Sequence, residues 1–142
     1  MKKKFTTAAY AIAMTGNGVG GTRGKFRLGA VLVYKNSIVS VGTNSYKTHP
    51  LMAPRTEWPF LHAEQRAIIR AGVDNCEGLD LYIARVLKNN DLAMSKPCDV
   101  CTELIKEVGI KNVYYSTDAN EFINGRTPRS SMVEQAPYKR PI

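Results

Sequence analysis

Cysteine is scarce in this 142-residue chain, and no apolar run is long. The three cysteines, Cys76, Cys98 and Cys101, are too few and too unevenly spaced for a disulfide framework. A chain of this length buries a real core without one. No stretch approaches the roughly 20 apolar residues of a membrane span. The opening Met1 to Lys4 and the mildly apolar run Phe5 to Met14 have the outline of a secretory leader. The run is short, however, carries Thr6, Thr7 and Tyr10, and is followed by Gly-rich sequence without a cleavage site. The expectation is a cytoplasmic protein with reduced thiols and no membrane partner.

Acid is also missing over a long stretch. Nine basic residues and no Asp or Glu lie between Met1 and Thr56, and Glu57 is the first acid. The remainder carries eleven basic residues against twelve acidic ones, so the net charge of +8 comes from the first stretch. Such asymmetry points to an anionic partner such as a phosphate or a nucleic acid, or to plain solubility.

What is present alternates between helical and extended patterns. Phe5 to Met14 reads as an Ala-rich helix, and Gly16 to Gly24 as a loop. The β-branched run Leu28 to Tyr34 is a strand buried on both faces, turning at Lys35-Asn36 into a returning strand, Ser37 to Val41. Gly42 to Pro59 is a long loop punctuated by Pro50, Pro54 and Pro59, a length usually kept for function. Leu61 to Ala71 has helical spacing and stops at Gly72. Leu79 to Leu87 reads as an alternating strand, Cys98 to Val108 as a helix introduced by Pro97, and Ile110 to Ser116 as a strand. A turn at Asp118 to Asn120 would let Glu121 to Ile123 pair antiparallel with that strand. There is no internal repeat. The expectation is an α/β fold in three layers, with a mixed sheet of four to five strands flanked by helices. Residues 1–124 form the domain, and residues 125–142 a basic, Pro-containing tail.

Two short motifs carry the chemistry: His62-Ala63-Glu64 at one helix start and Pro97-Cys98-Asp99-Val100-Cys101 at another. Cys98 and Cys101 lie one helical turn apart on one face, suited to two ligands on one ion. His62 supplies a third nitrogen ligand, leaving a fourth corner of a zinc tetrahedron for water. Helix N-termini favour thiolate over thiol at both cysteines. Glu64 follows the histidine too closely to share its ion easily, but it can reach bound water and substrate, which suits a proton carrier.

The pattern H-x-E followed by P-C-x-x-C resembles the signature of the zinc-dependent nucleobase deaminases, matched here by His62, Glu64, Pro97, Cys98 and Cys101. From about Phe26 to Ser116 the element order is similar to the cytidine deaminase-like fold. The resemblance implies a Zn2+ cofactor and Glu64 as acid and base. It also implies that Asn44 contacts the sugar or base, that the Ala63 N–H helps hold the base, and that the protein assembles as a homo-oligomer. Three positions depart from particular branches: Lys96 stands where tRNA adenosine deaminases carry Glu, Arg66 where an Asn is common, and His62 where cytidine deaminases of free nucleosides carry Cys. With Lys47 and Arg55 in the long loop, the basic first half favours a phosphorylated cytosine substrate, a deoxycytidylate-like nucleotide or single-stranded nucleic acid. Adenosine in tRNA is the alternative substrate.

Competing readings of single features are plainer. A closed structural zinc site with His49 as fourth ligand would make the chain a binding module, but it gives Glu64 no role. Otherwise His49 and Lys47 line the substrate entrance, or His49 is a loop residue. Gly16 to Gly21 matches G-x-G-x-x-G formally, yet it follows a helix and precedes a strand, the reverse of a dinucleotide fingerprint. Cys76 reads as a structural thiol, Trp58 and Phe60 as packing residues, and Arg126, Arg129, Lys139 and Arg140 as a solvated segment.

Overall fold

A computed structural model describes residues 1–15, 27–44 and 62–125. Helix α1 spans Lys3–Thr15, followed by strands β1 (Arg27–Tyr34) and β2 (Ser37–Thr43) and helix α2 (Ala63–Ala71). After a 3-10 turn at Val73–Asn75 come β3 (Asp80–Val86), β4 (Leu92–Ala93), α3 (Asp99–Glu107), β5 (Asn112–Ser116) and β6 (Phe122–Asn124). The sheet runs β2-β1-β3-β5-β6, with β4 added to β3. β3 and β5 are parallel, joined through α3, and the other pairings are antiparallel.

Three layers follow from the period-2 alternation of the strands. Ala30 and Leu32 of β1, Leu81 and Ile83 of β3, Val113 and Tyr115 of β5 and Ile123 of β6 face α2 and α3, packing with Ala63, Ala67, Ile68, Leu104 and Ile105. Val31, Val33, Tyr82, Ala84, Val86 and Tyr114 face the other way, onto Phe5, Ala9 and Ala13 of α1. The Ala-rich face of α1 approaches so closely that a Cβ on Gly29 would stand 2.4 Å from the Ala13 backbone nitrogen. Small residues on both sides therefore set that spacing.

The three-layer α/β expectation holds, as does the antiparallel return of the chain onto β5. The sheet differs from the expected four to five strands by the two-residue β4, which is too short to show a periodic signal. β3 does not alternate between core and solvent: Leu81, Tyr82, Ile83 and Ala84 are all buried, because helices cover both faces. Among the described residues no helix is long and apolar enough to cross a membrane. The loop Gly16 to Gly24, most of the long loop with Lys47, His49, Arg55, Trp58 and Phe60, and the tail beyond Gly125 lie outside the described residues.

Candidate metal centre

α2 and α3 begin side by side, their first residues bringing His62 next to Cys98 and Cys101. Each starts with a metal-ligand residue type as its N-cap, His62 for α2 and Cys98 for α3, both with extended backbone angles. Pro97 therefore precedes the cap instead of occupying the first helical position. At His62 the cap is fixed from the backbone side, its N–H donating to Gln65 Oε1 at 2.8 Å. The buried Gln65 side chain thus holds the main chain that carries the His62 imidazole.

That imidazole points at α3. His62 Nδ1 lies 3.3 Å from Cys101 Sγ and 3.8 Å from Cys98 Sγ, and the three donor atoms all fall within 4.8 Å of one another. A tetrahedral ion with Zn–N and Zn–S bonds of about 2.0 and 2.3 Å has N–S edges of about 3.5 Å. One imidazole nitrogen and two sulfurs on such edges fit zinc in geometry and in ligand chemistry. Among the described residues no other group of His, Cys, Asp or Glu comes together in this way.

The electrostatics are those of a cluster competing for protons. The Cys98 thiol is pulled down to about 4, chiefly by its hydrogen bond from Cys101, with His62 adding to the effect against the cost of burial. Cys101 moves the opposite way, because it donates to Cys98 and is itself buried. Burial alone would lower the His62 pKa, but the hydrogen bond to Cys98 and the charges of Glu64 and Cys98 outweigh it and raise it. Glu64 is 4% exposed, and burial raises its carboxyl above the usual range against the pull of His62.

Glu64 stands at the second position of α2 and shares a cavity of about 160 Å3 with His62 and Cys98. Leu28, Arg85, Met94, Ser95 and Lys96 complete its wall. Asn44 is buried beside it and accepts the Leu28 N–H at 3.1 Å, so it braces a wall residue of that cavity. Ala63 is fully buried at the first position of α2. Lys47 and His49 lie outside the described residues, and with them the proposed fourth structural ligand.

Sequence reasoning passed over Arg85, Met94 and Ser95. Arg85 had a signal: it continues the row Leu81, Ile83 on the α2 and α3 face, where a cation has no core role. The other two lie in the irregular segment between β4 and α3, which has no periodic signal.

Residues 1–117 match the family described as the cytidine and deoxycytidylate deaminase zinc-binding region. The chain belongs to that family. Its matched stretch contains both helix N-termini and all three donor atoms, and Zn2+ is the metal they suit. An uncharacterized deaminase in the luxG 3' region of Aliivibrio fischeri is 31% identical over 104 residues, which is 69% of this chain; the chain spans 63% of that relative's length. The dCMP deaminase of cyanophage S-TIM5 in complex with dCMP and dUMP shares the fold at a TM-score of 0.56 and 22% identity, covering 81% of this chain and 82% of that one. The apo form gives a TM-score of 0.53 and 25% identity, covering 81% of this chain and 84% of that one.

Proposed function

We propose that the protein is a zinc-dependent hydrolytic deaminase that converts cytosine to uracil in a phosphorylated substrate, with a free nucleotide as the preferred form. The observation that carries this reading is Glu64, a buried carboxyl with a raised pKa in the same cavity as the three donor atoms. A structural zinc site has no use for such a group.

Zinc, when held by His62, Cys98 and Cys101, supplies Lewis-acid activation of water near neutral pH. Glu64 moves the protons: its carboxylate accepts one from the attacking water and delivers it to the ring nitrogen, then takes the remaining hydroxyl proton of the adduct and hands it to the departing amine, which leaves as ammonia. Its raised pKa suits both directions of transfer. The Ala63 N–H, in the first turn of α2 where amides lack intrahelical partners, holds the base. Asn44 orients the sugar or base edge through the Leu28 wall.

A cavity of about 160 Å3 suits one base at a time. A paired base would have to leave its stack at a cost of about a few kcal/mol, which favours unpaired substrates. Arg85 and Lys96 place two cations on the wall against the single carboxylate of Glu64. The shared fold with a phage dCMP deaminase whose structure holds dCMP and dUMP supports the nucleotide form.

Ammonia release by the zinc-loaded protein tests the proposal on cytidine, deoxycytidine, dCMP, dCTP, single-stranded DNA, RNA and a tRNA anticodon stem. Release is expected with dCMP and should fall by about 100-fold or more in Glu64→Ala with zinc still bound. Release from the tRNA stem alone would move the reading to adenosine. Silence across the panel and across other bases, with zinc bound, would leave a structural module.

A further inference from the structure

β3 changes partner in the middle of its length. Up to Ile83 it pairs in parallel with β5, whose last partner there is Tyr115, and from Arg85 onward it pairs antiparallel with β4 through Ala93. Such an exchange leaves backbone groups of three strands converging without a ladder to satisfy them, and buried groups of that kind are costly unless bonded.

Two serine hydroxyls close the gap. Ser116 Oγ donates to Ala93 O at 2.6 Å and accepts the Arg85 N–H at 3.1 Å. Ser95 Oγ accepts the Ser116 N–H at 2.9 Å, and its own proton serves Ile83 O at 3.1 Å or Ser116 Oγ at 2.9 Å. The Ser95 N–H in turn donates to Ser116 O at 2.9 Å. Ser116 is fully buried and Ser95 is 5% exposed, so water does not compete for these bonds. The chain then runs from Ser95 through Lys96 and Pro97 to Cys98, with Pro97 restricting the link. The segment that delivers a metal ligand is therefore anchored to the sheet by this hydroxyl pair, while the Ser116 side also fixes the backbone of Arg85.

We propose that Ser95 and Ser116 are positioning residues for the metal centre: they set the place of the Cys98 arm, so that Cys98 meets His62 and Cys101 with their spacing already formed. This rests on the zinc-site reading and goes beyond it, since neither serine is among the three donor residues. Partners standing behind ligands in this way commonly contribute 10- to 100-fold in metal affinity.

The test is zinc affinity of the full chain by chelator competition, together with the visible spectrum of the Co2+-substituted protein, which reports ligand geometry. Ser95→Ala and Ser116→Ala are compared with Val33→Ala, a cavity on the opposite face of the sheet that destabilises without touching the arm. Both serine variants should bind zinc about 10-fold or more weakly and shift or weaken the Co2+ bands. Val33→Ala should keep wild-type affinity and bands at a similar loss of melting temperature. Serine variants that match Val33→Ala in affinity and spectrum overturn the proposal while leaving the metal centre standing. Failure of the wild type to bind zinc removes the centre and the proposal together. Should Ser116→Ala not fold, Ser95→Ala, which retains the Ser116 bonds to Ala93 and Arg85, decides alone.

Discussion

Gly42 of β2 lies directly under Ala63 of α2: a Cβ at Gly42 would stand 2.6 Å from the Ala63 carbonyl oxygen and 2.7 Å from the Ala67 nitrogen. The missing side chain lets α2 settle onto the sheet, and the Ser40 hydroxyl bonds the Ala67 carbonyl at 2.6 Å beside it. His62 and Glu64 ride on that helix, so its height above the sheet is part of the site. Gly42→Ala would push against the α2 backbone and the Arg66 Cβ, neither of which can swing aside, and must lift the helix. It should lower stability by about 1–3 kcal/mol in urea unfolding and weaken zinc binding as well. Wild-type stability and affinity would show that α2 can shift freely and that this contact does not set its position.

The three thiols should separate cleanly once metal is stripped by a chelator. Cys98 is half-buried with its pKa near 4, so above that pH it stays thiolate, whereas an unperturbed thiol of pKa 8.5 is only about 0.3% ionised at pH 6. Cys101 is buried and held protonated, and Cys76 is buried with its thiol raised by desolvation and directed at Gly72 O, 3.4 Å away. Iodoacetamide labelling of metal-free protein followed by peptide mapping should mark Cys98 first, with a rate that barely falls between pH 8 and pH 6. Zinc should suppress it. Preferential labelling of Cys76, or a steep fall toward pH 6, would contradict this assignment.

Zinc should also stabilise the fold. Its ligands join the N-termini of α2 and α3, and any ion held by the native state alone adds about 4 kcal/mol at a thousandfold excess over Kd. Scanning calorimetry with and without chelator should show a lower melting temperature for the metal-free chain. An unchanged temperature with zinc demonstrably bound would mean that the unfolded chain holds it equally well.

Much of this was legible because strong periodicity and punctuation coincided. The run Leu28 to Tyr34, the helix stop at Gly72 and the H-A-E and P-C-x-x-C motifs each depend on local chemistry, so their elements appear within a few residues of expectation. Ser95 and Ser116 were not legible. Their importance comes from the change of partner along β3, a tertiary event with no local pattern, and a buried serine looks in sequence like any other. The turn at Asp118 to Asn120 is visible in the sequence as a reversal, but its second task is not: the Asp118 and Asn120 carboxyl and amide oxygens accept the Met94 and Leu92 N–H groups at 2.9 and 3.0 Å and so hold β4 in place. Gln65 is in sequence one more helical position, although its side chain fixes the His62 backbone.

The cations of the cavity wall offer the sharpest test of substrate form. Arg85 is drawn inward by the strand alternation that buries Leu81 and Ile83, whereas Lys96 is exposed at the lip. A hydrogen bond from a charged donor to a phosphate contributes about 1.5–3 kcal/mol, or roughly 10- to 100-fold. Arg85→Gln and Lys96→Gln should therefore raise the KM for dCMP by about 10-fold or more, with deoxycytidine turnover little altered, since the nucleoside has no phosphate to lose. The pattern of loss separates the alternatives. Equal losses on nucleoside and nucleotide would mean that these side chains shape the cavity or hold the base, and the phosphate would then have to be met elsewhere. Unchanged kinetics on both would take away the electrostatic support for a nucleotide substrate, leaving the acid-free first 56 residues as a matter of solubility.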